Sequence, residues 1–163
     1  LLSGCASDAD LATAAPQKAD LQAVVDTGVV RPVNGITAAG QPNAAALQVF
    51  ADNGYAAVVD LRTAGETRGL DEQVVVEGLG MEYVSLPIGS DGISFENARN
   101  LDELISRYDA PVLVHCGSSN RVGALLALRA SLEGADDETA IELGRQGGLT
   151  GLEPAVRKVL SED

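Results

Sequence analysis

The sequence predicts an α/β protein, a three-layer sandwich with a mainly parallel central sheet, and three observations lead there. From about residue 28 onward, short apolar runs alternate with stretches of helical periodicity, and Gly or Pro separates them. The composition is 45% hydrophobic but only 3% aromatic, so the core is built from Ala, Val, Leu and Ile, which suits helices packed on a buried sheet. The length, 163 residues, fits one domain that buries about two thirds of its unfolded surface. No internal repeat is present.

Taken in order, "VVRPVNGITAAGQP" reads as a first strand or hairpin, broken at Pro32 and ended by Gln41-Pro42. "NAAALQVFADNG" is a helix, with Asn43 as its cap and Gly54 just past its end. "YAAVVDL", residues 55 to 61, is a buried parallel strand that leads into Arg62. "GETRGLDEQVVVEGLG" contains a short helix, and Gly78 and Gly80 release the chain into the strand "MEYVSLPI". "SFENARNLDELISRYD" is a helix capped by Ser94. "PVLVH" is the most buried strand, and "RVGALLALRASLEG" the helix behind it. "DDETAIELGRQ" and "EPAVRKVLS" add two helices, the second with Pro154 in its first turn.

Ligands in such sheets bind beyond the carboxyl ends of the strands. That edge gathers Arg62, the loop at Asp91 and the loop that begins at Cys116. A strand ending at His115-Cys116 and turning at once into a helix aims the backbone N–H groups of Gly117, Ser118, Ser119, Asn120 and Arg121 at one point, at the positive end of that helix. A thiolate is stabilised in such a nest, and Cys116 is expected to ionise below the usual thiol value of about 8.5. Arg121 can lay its planar fork across the loop and bind two oxygens of an anion. A nucleophile beside preorganised donors is the arrangement of covalent catalysis. The alternative is Cys116 as a small core hydrophobe. The adjacent His115, the polar run Gly-Ser-Ser-Asn and an arginine opening an apolar helix weigh against it. Arg62 is either a second anion contact or a solvated strand-end residue, and Glu66 and Arg68 are taken as surface residues.

"HCGSSNR" resembles the signature loop of cysteine-dependent protein tyrosine phosphatases, which place five residues between cysteine and arginine. Here four stand between Cys116 and Arg121, a spacing similar to the rhodanese sulfurtransferase loop. A bacterial phosphatase-like family, called β-lactamase hydrolase-like where it is fused to a metallo-β-lactamase-type hydrolase, uses the short loop. "ITAAGQP", "AAVVDLRTAGE", "MEYVSLPI" and "NRVGAL" resemble that family in order and spacing, over about residues 33 to 160.

The resemblance implies a protein tyrosine/dual-specificity phosphatase-like fold acting on a phosphate ester through a phosphocysteine. In that chemistry Cys116 is the nucleophile and Arg121 the oxygen clamp. Asp91 matches the position of the general acid, although Asp91-Gly92 is also an ordinary turn pair. His115, Gly117, Ser118, Ser119, Asn120 and Arg62 would line the anion site. "VVDLRTAGE" is also similar to a rhodanese element, but the rhodanese "GHIPGA" segment is absent. A sulfurtransferase carrying a Cys116 persulfide and an inactive anion-binding module stay open as alternatives. Two departures argue against fast turnover. Ser119 replaces the usual loop glycine, which strains the loop if a positive φ is needed, and Val122 replaces the usual hydroxyl residue after the arginine.

Lys+Arg 11 against Asp+Glu 24 gives a net charge of −13, which excludes nucleic acid and anionic membrane surfaces as natural partners. Salt screens that repulsion beyond about 8 to 10 Å, so a local cradle can still bind a phosphorylated small molecule or a phosphoprotein. With one histidine, a zinc enzyme is not expected, and neither a metal nor a cofactor is called for. At the front, "LLSGCAS" resembles a bacterial lipobox, which implies lipidation of Cys5. Residues 1 to 27 would then be lipobox remnant and polar tether, and 28 to 163 the phosphatase-like domain, lipid-anchored on the extracytoplasmic face of a bacterial envelope.

Overall fold

The computed structural model describes residues 30–33 and 36–162; the expected tether, Cys5 with it, lies outside the described residues. Five strands among the described residues form one sheet: β1 (Val30–Val33), β2 (Ile36–Ala39), β3 (Ala57–Asp60), β4 (Glu82–Ser85) and β5 (Val112–His115). Their order is β1-β2-β5-β3-β4, with β1 antiparallel to β2 and every other pair parallel. Pro32 does not break the first strand. It pairs with Thr37 inside the ladder, and β1 lies at the sheet edge, where a missing N–H is tolerated.

Among the described residues six helices cover the two faces: α1 (Ala44–Asp52), α2 (Glu72–Gly78), α3 (Phe95–Ile105), α4 (Asn120–Leu132), α5 (Asp137–Gln146) and α6 (Glu153–Ser161). Alternate strand residues decide which face each layer meets. Val58 and Leu113 pack with Ala46, Leu47 and Phe50 of α1 and Val76 of α2. Val59, Val112 and Val114 pack on the other side with Leu101 of α3, Leu125 and Leu128 of α4, Ile141 of α5 and Val156 of α6. The sandwich therefore has three layers. Asn43 accepts from Ala46 N at 2.8 Å and Ser94 from Asn97 N at 3.1 Å, so both expected caps hold their helices.

What positions the site is the central place of β5. All four of its residues are buried, and it feeds α4 directly. α4 approaches the α5–α6 connection backbone to backbone. A Cβ on Gly123 would lie 2.5 Å from the Gly144 carbonyl and closer still to Leu149 N, so only glycine fits there.

Candidate active site

Cys116 follows β5 at the carboxyl edge of the sheet, with its N–H donated to Ala39 O at 3.2 Å and only 1% of its surface exposed. Gly117 and Ser118 are exposed at the mouth of the loop, which is tied to the neighbouring strand end by Gln41 N donating to Gly117 O at 3.2 Å. Ser119 then takes φ 67, the one positive φ among the described residues that is not a glycine. The expected strain at this position is therefore present. It is compensated by the buried Ser119 hydroxyl, which donates to Gly147 O at 2.7 Å.

Two guanidinium groups converge on the loop. A Cβ on Gly117 would lie 3.7 Å from Arg121 Nη2 and 3.9 Å from Arg62 Nη2, so Arg62 belongs to the site rather than to bulk solvent. Glu66 holds both arginines. Its carboxylate accepts from Arg121 Nη1 at 2.8 Å and Nη2 at 2.5 Å, and from Arg62 Nε at 3.4 Å. Thr63 N and Oγ1 complete its shell at 2.8 and 3.0 Å. The Arg121 fork pushes the Glu66 carboxyl far below the usual carboxylate range, and Glu66 in turn raises Arg121, with Cys116 adding to the effect. Arg121 Nη1 also donates to Ile88 O at 3.1 Å.

The expectation of Glu66 and Arg68 as surface residues is corrected here. Both are half-buried, and Arg68 Nε donates at 2.5 Å to Asp60, whose side chain is wholly buried. Burial alone would raise Asp60, but Tyr83 (2.6 Å) and Arg68 outweigh it and hold the carboxyl below its ordinary value. A charged residue ending an apolar strand needs a cationic partner, and that was the signal available in "VVDLRTAGETR".

Three expected anion contacts turn their side chains elsewhere. The His115 ring is fully buried behind the loop, with Nε2 2.6 Å from Glu72 Oε2 and 3.7 Å from Asp60 Oδ1. Asn120 accepts from Thr150 N at 2.8 Å and Leu152 N at 3.3 Å, bracing the start of α6. The Ser119 hydroxyl is spent on Gly147. At the mouth of the loop it is Gly117 and Ser118 that stay exposed. Asp91 is exposed at the tip of the turn closed by Gly92 N donating to Gly89 O at 3.0 Å, and this turn follows Ile88, the residue Arg121 grips. It has no hydrogen-bond partner among the described residues and is in a position open to a ligand.

Asp60, Glu72 and His115 bring metal-type donor atoms within 4.8 Å of one another. Each donor already has a protein partner, the Arg68 guanidinium included, so a cation would have to displace them. The arrangement is a buried hydrogen-bond network. Glu72, Gln41 and Tyr83 are the members that sequence reasoning missed.

The fold is similar to that of the protein tyrosine and dual-specificity phosphatases. A candidate phosphatase from Neisseria meningitidis superposes with a TM-score of 0.67 at 20% identity, over 78% of this chain and 93% of that one. P. aeruginosa TpbA, solved in complex with pTyr, gives 0.61 at 17% identity, over 79% and 86%. In sequence, the chain is similar to the β-lactamase hydrolase-like proteins. It is 31% identical to that of Xylella fastidiosa over 115 residues, 68% of this chain, and spans 27% of the relative's length. No family model matches the chain.

Proposed function

We propose that the chain is a cysteine-dependent phosphatase-like hydrolase of phosphate esters. The observation that carries the reading is the convergence of Arg62 and Arg121 on Gly117, directly after the cysteine that ends the central strand. Two guanidinium groups and the loop N–H groups match the three oxygens of a phosphoryl group. Cys116 sulfur attacks phosphorus, the bond to the ester oxygen breaks, and Asp91 gives that oxygen its proton. Water then cleaves the phosphocysteine, releasing phosphate and restoring the thiolate. Val122 is wholly buried and offers no hydroxyl to the departing sulfur, so the second step is slow.

The sulfurtransferase reading is favoured by one specific feature, the four-residue spacing between Cys116 and Arg121, which makes a tighter cradle. Two assays on the same preparation separate the readings. Slow release of phosphate from an aryl phosphate, abolished in Cys116→Ser with the fold intact, supports the hydrolase. Thiosulfate-to-cyanide transfer without ester hydrolysis would replace it with the sulfurtransferase. In the cell the domain acts outside the cytoplasm, held to an envelope membrane through acylated Cys5.

A further inference from the structure

Arg62 comes to the loop from the end of β3, and its side chain has to be held there. Its Nε reaches Glu66 Oε1 at 3.4 Å, and its Nη1 donates to Gln41 Oε1 at 3.1 Å. Glu66 is gripped by Arg121 through both terminal nitrogens, so the Gln41 oxygen is the closer restraint on Arg62. Nη2 has no hydrogen-bond partner among the described residues and lies 3.9 Å from where a Cβ on Gly117 would stand.

The Gln41 amide has one orientation only. Its nitrogen lies 3.1 Å from the Pro42 carbonyl oxygen and 2.5 Å from Glu72 Oε1. A carbonyl can only accept and a guanidinium can only donate, so the amide nitrogen belongs at Pro42 and the amide oxygen at Arg62. The main chain of the same residue holds the loop. Gln41 N donates to Gly117 O at 3.2 Å, and two residues earlier Ala39 O accepts from Cys116 N at 3.2 Å. Gly40 between them bridges to Ser118, and a Cβ there would stand 3.0 Å from the Gly117 oxygen, closer than ordinary packing allows. One residue therefore sets the gap between the loop and the guanidinium that faces it.

We infer that Gln41 is a positioning residue for the anion site: its side chain aims the free Nη2 of Arg62 at the loop that its own N–H pins in place. Without that oxygen an arriving anion has to order a long side chain as it binds, which weakens binding. The inference rests on the loop binding an anion and not on the fate of an ester bond.

Gln41→Lys tests it by removing the acceptor alone. The ammonium can still donate to Pro42 and Glu72, and the backbone bond to Gly117 is kept, while Arg62 loses its oxygen and meets a like charge. An added positive charge by itself tightens anion binding, so the two accounts predict opposite signs. Inorganic sulfate, titrated against the Gly117 amide shift in nitrogen-15 NMR, should bind the variant about tenfold more weakly than the wild type, equivalent to ~1.4 kcal/mol. In an Arg62→Met background the same change should cost no affinity, whereas damage to the loop would persist there. Equal or tighter binding in Gln41→Lys, or the same loss in both backgrounds, overturns the inference. So does a wild-type Arg62 guanidinium that rotates freely and averages its two Nη signals, a result that counts even if the variants do not fold. A wild type that binds sulfate at Gly117 but hydrolyses no ester strikes the hydrolase reading and leaves the inference standing; one that binds no sulfate there strikes both.

Discussion

Replacing Ser119 by Gly and by Ala separates two opposing energies at the start of α4. Ser119 is wholly buried with φ 67, and its hydroxyl donates to the buried Gly147 carbonyl at 2.7 Å. A side chain in left-handed backbone costs roughly 1–2 kcal/mol. Withdrawing the donor from a buried carbonyl costs about 1–3 kcal/mol. Ser119→Ala keeps the strain and loses the bond, so it is destabilised by the full 1–3 kcal/mol or so. Ser119→Gly loses the same bond and sheds the strain, so it stays within about 1 kcal/mol of the parent. At this chain length each kcal/mol moves Tm by about 2–4 °C, and urea or thermal melts followed by circular dichroism resolve the pair. Alanine and glycine variants that melt together would mean that the backbone at 119 carries no strain, and the reasoning would fail.

Arg121→Lys should fold and lose most anion affinity, because one ammonium cannot grip Glu66 with two bonds and still present an edge to the loop; vanadate titration giving equal affinity would place Arg121 outside the anion site. Acid should unfold the domain through Glu66 and Asp60. Both are lowered in the fold, so their stabilisation is complete above the unfolded carboxylate values near about 4 and drains away as pH falls below them. Glu66→Gln should flatten the acid limb of a plot of urea midpoint against pH, and an unchanged limb would remove Glu66 from that account. Mass spectrometry of the native protein from its bacterium should find Cys5 acylated; an unmodified Cys5 on a soluble product would refute the anchor.

Local chemistry made much of this molecule legible. Asn43 and Ser94 announce their helices because a cap is a three-residue event, and the passage from β5 through Cys116 into α4 is legible because strand, loop and helix are contiguous. What could not be read is where long side chains end. Glu72 meets His115 across 43 positions, and Glu66 meets Arg121 across 55, distances over which periodicity carries no information. Asn120 illustrates the converse. Its place in the loop suggests an anion contact, but tertiary packing gives its oxygen to the backbone of Thr150 and Leu152. Only Asp60 left a trace, as an acid at the end of a buried apolar strand with Arg62 and Arg68 close behind.

The strand order has a consequence for assembly. Among the described strands β2 and β3 are joined only through β5, the last in the chain, so before residue 112 leaves the ribosome β1-β2 and β3-β4 have nothing to connect them. Such non-local pairing is slow, and loop closure must precede any reward from it. The thiol that follows β5 is 1% exposed in the fold, and it cannot reach that place before β5 joins the halves. A chain that has not yet paired β5 presents Cys116 to oxidants without its arginines, and how fast the central strand zips into place sets how long that exposure lasts.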